Sequence, residues 1–436
     1  MAADGEETEV LGKRMWSGLV TRSGGIGRAL ANPAYRIYAS GNAVSLVGTW
    51  IQRVGVGWLT WDLTGSGTWL GVIAAADLLP SIVAGPLGGV IADRVDRMRL
   101  IRISQALLAL QALALGALTV AGMIDPWLLL ALSLVHGIIV SFNQPARLSV
   151  VPSLVRPEDI PSAVAINAVL WNGARFVGPA IAGLLIAHAG VAWAFFANGI
   201  SYFAFLYAVY LIHLPPLVRK RTGKNMMNDL ADAYRYLSGH PGMGPLVLLL
   251  IAGSIAVRPF AELLPGFADA VYGRPIDGLA ILTAATGVGA VIAGLWMSQR
   301  GKVAGNVKIA IDHTLGMALA MLLFTLTDWF PLGIFAVAWA GFSMVANGVT
   351  TQSLIQGACA PDMLGRVLSL YGLSFRAGPA IGALLMGGAA DLVGLRLPVA
   401  VGAGLCILVW IWARSRAAGI AAAVELVPPA PREERT

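Results

Sequence analysis

Seven ionisable side chains lie deep inside long apolar stretches of this 436-residue chain, away from their cytoplasmic ends: Arg53, Asp77, His136, Arg175, Arg258, Glu262 and Arg376. Charge is costly to bury there, so each is a candidate for function rather than packing. The arginines stay protonated in any surroundings. Two carboxylates do not neutralise four guanidiniums, so the surplus calls for an anionic ligand or water. Only Asp77, His136 and Glu262 can gain and lose a proton. Arg258 and Glu262, four residues apart, can share a helix face, although Pro259 stands between them. A ligand competing for Arg258 would change how tightly Glu262 holds a proton. This ranks Glu262 first for proton coupling, His136 second and Asp77 third, because Arg53 at the same depth would keep Asp77 charged. The competing reading makes Arg53–Asp77 and Arg258–Glu262 structural ion pairs and bonds Arg175 and Arg376 to backbone carbonyls.

Neutral polar groups accompany these charges: Asn143, Gln144, Asn167, Asn172, Asn347 and Gln352. Trp50, Trp58, Trp171 and Phe260 offer apolar walls. The expected cavity set is therefore Arg53, Arg175, Arg258, Arg376, Trp50, Asn143 and Asn347. The sequence has no P-loop, HExxH or nucleophile elbow. Cys359 and Cys406 have neither metal-site nor disulfide spacing. An enzyme, a resident metal and a cofactor are not expected.

The elements that hold these residues must be membrane helices. The chain is 57% hydrophobic and 12% charged, about half the charge of a soluble domain, so most of it must face lipid. Twelve stretches reach the ~20 apolar residues that a span needs: 35–61, 69–92, 99–121, 127–149, 160–188, 191–213, 244–268, 276–298, 307–327, 331–355, 363–390 and 396–414. The domain reading is a tail (1–34), a six-helix bundle (35–213), a linker (214–243), a second bundle (244–416) and a disordered C-terminal tail (417–436). Met226, Met227, Leu230, Ala233, Tyr234 and Leu237 give the linker an amphipathic helix. The first thirty residues mix acids and bases and lack the apolar core of a leader.

Charge bias orients the bundle. Of the 30 Lys and Arg residues, four are inside helices, and only Arg274 and Arg396 fall on odd-numbered turns. The rest lie on even-numbered turns or the termini. Cytoplasmic loops retain Lys and Arg, so both termini and the linker are expected in the cytoplasm. The positive net charge follows from this bias, and no nucleic-acid partner is implied.

The halves repeat. Gly89 falls on Gly294 and Arg53 on Arg258, each 205 residues on; Asn143 falls on Asn347, 204 on; Gly178 and Pro179 fall on Gly378 and Pro379, 200 on. Collinear repeats of six helices describe the two halves of a major facilitator. Gly89, Asp93, Arg94, Asp96 and Arg97 resemble that superfamily's motif between helices two and three, with Asp96 where a glycine is usual. Arg175, Gly178, Pro179 and Gly183 resemble the fifth-helix motif of its exporters. Gly48 to Gln52, Trp58-Leu59 and Leu63 to Ser66 resemble the subgroup of enterobactin exporters, macrolide efflux proteins and transmembrane secretion effectors.

The resemblance implies an all-α membrane fold of twelve helices in two pseudo-symmetric six-helix bundles, working by alternating access. It implies a latch at Gly89, Asp93, Arg94 and Arg97 that favours the outward-open state, and a packing motif at Gly178, Pro179, Gly183, Gly378 and Pro379 that seals the halves together. The expected function is proton-coupled export, by a monomer, of an amphipathic, anionic or zwitterionic small molecule: a siderophore, metabolite or drug. Import or lipid flipping on the same fold is the alternative, and a transporter-like sensor or assembly partner is the reading from another class.

Overall fold

The computed structural model describes residues 24–82, 96–212, 226–300 and 304–425. Among these, ten helices are long and apolar enough to cross a membrane. Two more complete the expected set: α2 (Pro33–Thr64), whose 32 residues span about 48 Å, and α3 (Gly67–Leu78), whose apolar helix runs on to Ile82. A short α1 (Gly24–Ala31) precedes them. The first half continues with α4 (Arg97–Val120), α5 (Pro126–Val150), α6 (Ile160–Ala189) and α7 (Val191–Leu211).

Local chemistry sets these boundaries. Asn32 Oδ1 accepts the N–H groups of Ala34 and Tyr35 at 3.0 and 3.4 Å, and Pro33 follows it as first helical residue. Gly65, at φ 56°, ends α2 in the left-handed region, where glycine costs least. Ser66 then caps α3 by accepting from Trp69 N at 3.2 Å. Asp96, at the unusual position of the motif, caps α4 by accepting from Met98 N and Arg99 N at 2.8 and 3.3 Å.

The linker helix α8 (Met226–Gly239) leads into the second half. Ala233 and Leu237 are buried against that half, while Tyr234 is exposed. Asp232 pairs with Arg366 at 3.3 Å, so α8 docks on protein. The seventh span differs from the expected unbroken 244–268. It is split into α9 (Met243–Ala256) and α10 (Phe260–Gly266), followed by a π-turn at Phe267–Val271. Pro259 removes a backbone donor and breaks the helix there. The half ends with α11 (Ile276–Arg300), α12 (Asn306–Leu326), α13 (Phe330–Ala358), α14 (Leu364–Val393) and α15 (Arg396–Ser415). Residues 417–425 differ from the expected disordered tail. Ala417–Val424 forms α16, which buries Ile420 and Val424. Glu425 accepts Gly305 N and Val307 N at 3.0 and 2.7 Å, capping α12.

Packing repeats between the halves. In the first, α2 packs on α6 and α7, and α4 on α5 and α7; in the second, α9 packs on α14 and α15, and α12 on α13 and α15. Across the seam, α3 packs on α14 and α6 on α11. Small residues allow backbone-level approach there. A Cβ on Gly71 would sit 2.3 Å from Ala383 O, and one on Gly387 2.2 Å from Gly67 O. These contacts close the face of the bundle opposite the linker.

Candidate functional site

Pro259 decides which charges meet. Because α9 ends before it, Glu262 enters the first turn of a new helix and pairs with Arg53 of the other half. The two pairs weighed from the sequence, Arg53–Asp77 and Arg258–Glu262, do not form. Arg258 instead lies over the Phe375 ring, 3.6 Å from its centroid, a cation–π contact. Tyr371, which stacks on Phe375 at 5.3 Å, donates its hydroxyl to Gly348 O at 2.9 Å. Two guanidiniums contact the Trp50 ring, Arg53 at 5.5 Å and Arg175 at 5.6 Å from its centroid, and Trp50 meets Trp171 edge-on at 6.3 Å. Among the described residues, Arg175, Arg258 and Arg376 make neither an ion pair nor a hydrogen bond, the backbone carbonyls foreseen for Arg175 and Arg376 included.

Asp77 finds a different partner. His136 Nδ1 donates to Asp77 Oδ1 at 2.6 Å. His136 Nε2 lies 3.4 Å from the Tyr202 hydroxyl, which is 3.2 Å from Thr49 Oγ1. Four helices of the first half thus contribute to one chain of polar contacts. Thr49, Asp77 and His136 of that chain line a small cavity whose wall also includes Arg53, Gln52, Gln111, Ser133 and Glu262. Behind it runs an amide ladder. Asn198 Nδ2 donates to Gln52 Oε1 at 2.7 Å, and Gln52 Nε2 donates to Gln111 Oε1 at 3.2 Å. Such buried amides need every partner they have.

Several expected cavity residues lie elsewhere. Asn143 is buried and donates to Ser104 Oγ at 2.6 Å. Asn347, equally buried, donates to Ala310 O at 2.7 Å and Thr314 Oγ1 at 3.1 Å. Both join neighbouring helices within one half, so neither faces the cavity. Phe260 is fully buried and packs edge-on to Phe324, so it is core rather than wall. Asn167 accepts from Asn42 Nδ2 at 3.0 Å.

The packing motif divides its work differently from the expected half-to-half seal. A Cβ on Gly178 would meet Trp50 Cβ at 2.4 Å, and one on Gly378 would meet Ser254 Cβ at 2.5 Å. Both contacts are inside a half. Gly183 does face the seam, 2.2 Å from Ala280 Cβ by the same construction. Pro179 and Pro379 lie inside α6 and α14. Gly89, Asp93 and Arg94 of the expected latch lie outside the described residues; Arg97 donates to Ser149 O at 3.1 Å.

Sequence reasoning missed the polar contacts that join the halves at the closed face. Trp61 Nε1 donates to Asp269 Oδ2 at 2.8 Å. Asp391, at the end of α14, accepts from Ser66 Oγ and Gly67 N at 2.6 Å each and from Thr68 N at 3.2 Å. Its carboxylate sits on the positive N-terminus of α3. In each contact the first half donates and a carboxylate of the second half accepts, as with Arg53 and Glu262. An acid three residues before the helix-terminating Gly394, with a Ser-Gly-Thr helix start in the other half, was the available signal.

A family model described as transmembrane secretion effector matches residues 28–429. Over 367 residues the chain is 29% identical to a protein of Escherichia coli O1:K1 / APEC named enterobactin exporter EntS, covering 82% of this chain and 85% of that one. The protein of that name from Shigella boydii serotype 4 (strain Sb227) is 29% identical over 365 residues, with the same coverage. The fold is similar to a bacterial homolog of the human lysosomal transporter Spinster in an inward-facing, unoccupied conformation. That likeness has TM-score 0.70 at 13% identity and covers 91% of this chain and 99% of that one. The nucleoside transporter NupG matches with TM-score 0.69 at 10% identity, covering 88% and 98%. At such identities the structural likeness bears on fold alone.

Proposed function

We propose, for a chain that belongs to the transmembrane secretion effector family, a proton-driven exporter of an amphipathic anionic or zwitterionic small molecule. The family makes it a multi-pass membrane transporter of the major facilitator fold. The cargo reading rests on one observation: among the described residues Arg175, Arg258 and Arg376 have no carboxylate ion-pair partner within the span region, and Arg175 lies over the Trp50 ring and Arg258 over that of Phe375. Permanent cations beside aromatic faces suit a ligand that carries both negative charge and flat apolar surface. The relatives named as enterobactin exporters support a siderophore-like cargo.

In this reading the linker face is cytoplasmic and both termini lie inside, in a bacterial cytoplasmic membrane. Cargo enters the cavity from the cytoplasm while Asp391, Asp269 and the α3–α14 glycine contacts hold the other face shut. Rocking then breaks those contacts and forms the latch at Gly89, Asp93, Arg94 and Arg97. A monomer contains every part required.

Inverted membrane vesicles energised with a proton gradient test this. Enterobactin, as an anionic catecholate probe, should accumulate, and Arg258→Gln should raise its half-saturating concentration about tenfold, the loss of one charged contact. Equal accumulation of a neutral amphipath of similar size, or no effect of Arg258→Gln, contradicts the reading.

A further inference from the structure

We propose that the proton driving this transporter is carried by the Asp77–His136 pair, inside the first half, and not by Glu262. The inference rests on the exporter reading above for its purpose, but its evidence is separate.

Glu262 pairs with Arg53 across the halves. A guanidinium holds its charge throughout, so Glu262 cannot take a proton without stranding that cation. Its contact reports whether the halves are closed. Asp77 and His136 are placed differently. Both belong to one half, and their contact need not break when the halves move. A Cβ on Gly137 would lie 2.5 Å from Asp77 O, so α3 and α5 touch backbone to backbone beside the pair. That contact fixes the separation of the two side chains.

The pair is also reachable. The Asp77 side chain is 29% exposed and that of His136 is 13% exposed, and both line the cavity. A purely structural pair inside a membrane would be sealed from water, because open charge there is costly. The charged and titratable groups facing His136 are Asp77 from α3 and Tyr202 from α7. Arg53 from α2 and Glu262 from α10 line the same cavity.

The charge balance gives coupling. Loaded, the pair is an imidazolium and a carboxylate with no net charge. Unloaded, it is a neutral imidazole and a carboxylate with net charge −1. Arg53 therefore has one competing carboxylate when the proton leaves and less competition when it is bound. The arrangement in the structure, with Arg53 on Glu262, is the loaded one. Loss of the proton draws Arg53 towards Asp77, frees Glu262 and loosens the seam at that level.

Charge displacement measures this without any cargo. The whole protein, in phosphatidylethanolamine–phosphatidylglycerol liposomes on a solid-supported membrane, is given a pH jump between about 8 and about 6, across the histidine range. Asp77→Asn and His136→Gln should each cut the transient current more than about fivefold, and Glu262→Gln should keep most of it. Current lost in Glu262→Gln and kept in the two pair variants overturns the proposal. Should Asp77→Asn fail to elute as a single species, Asp77→Glu must shift the pH midpoint of the current; an unmoved midpoint also overturns it. A normal current in a protein that moves no enterobactin sinks the cargo reading and leaves the pair as the proton site.

Discussion

The two halves share a fold and a packing plan, yet their interiors have gone opposite ways. By the repeat offsets of 205 and 204, Asp77 corresponds to Leu282 and His136 to Ala340. Both counterparts are fully buried in an apolar core with Val257, Met317 and Phe324. Gln52 corresponds to Val257, and Gln111 to Gly316. The positions that stayed alike are of two kinds. Asn143 and Asn347 each tie one helix to its neighbour, and Arg53 and Arg258 keep the cation. Duplication thus preserved framework and positive charge, while among the described residues the Asp77–His136 pair has no counterpart in the second half. Both halves offer fixed cations on aromatic rings, Arg53 and Arg175 at Trp50 and Arg258 at Phe375; only the first half adds, among the described residues, a His–Asp pair at these corresponding positions, where the second has buried apolar side chains.

That contrast can be broken most severely at the seam. Gly387→Val places a side chain where Gly67 O already lies 2.2 Å from a Cβ, so α3 and α14 cannot close. Efflux should fall more than about tenfold with each half still folded; normal efflux would mean that the halves do not meet this way during turnover. Next comes Leu282→Asp, which puts Asp77's carboxylate at the dry counterpart. It should destabilise the protein by about 3 kcal/mol in thermal melts, because the new group has no partner. Asp77→Leu should leave melting nearly unchanged, because its site faces a cavity. Equal destabilisation by the two would erase the distinction between the two positions.

Asp391→Asn tests a smaller effect. Losing the charge at the α3 N-terminus is worth about 0.3–1 kcal/mol. Spin labels at Leu63 and Leu392 should report a roughly two- to fivefold larger open population at that face, and an unchanged distance distribution would deny the cap a gating role. The smallest effect lies outside the membrane. His240 Nδ1 accepts Gly242 N and Met243 N at 3.1 and 3.2 Å, and burial holds its pKa below the ordinary 6.5. The folded protein thus prefers the neutral ring. Stability from this cap is complete above pH 6.5 and declines as pH falls from there towards the lower folded value. Melting temperature should drop slightly over that window and His240→Asn should flatten the drop, whereas transport should keep its pH profile. A changed transport profile would place a coupled titration at the linker as well.

Much of this was legible in the sequence, because membrane insertion imposes simple rules. Apolar length gave the spans, and Arg53 with Arg258 gave the symmetry. The four arginines and three titratable groups stood out in the sequence, since charge in lipid is conspicuous. Their pairing was not legible. A single proline at 259 turned Glu262 away from Arg258 and towards another domain, and no local spacing rule reports a partner 209 residues away. Asp391 and Asp269 escaped notice because acids at helix ends look like ordinary solvated caps. Tyr202 is silent for a related reason: a tyrosine in an apolar helix reads as packing until a histidine is seen beside it.

The division of labour is tested most directly by measuring proton-driven enterobactin efflux, over both concentration and pH, in proteoliposomes carrying His136→Gln or Arg258→Gln. The account predicts separation. His136→Gln should flatten the pH dependence and leave the half-saturating concentration within about twofold. Arg258→Gln should raise that concentration about tenfold and keep the wild-type pH profile. If either substitution moves both quantities together, proton and cargo share one site and the contrast between the halves is wrong.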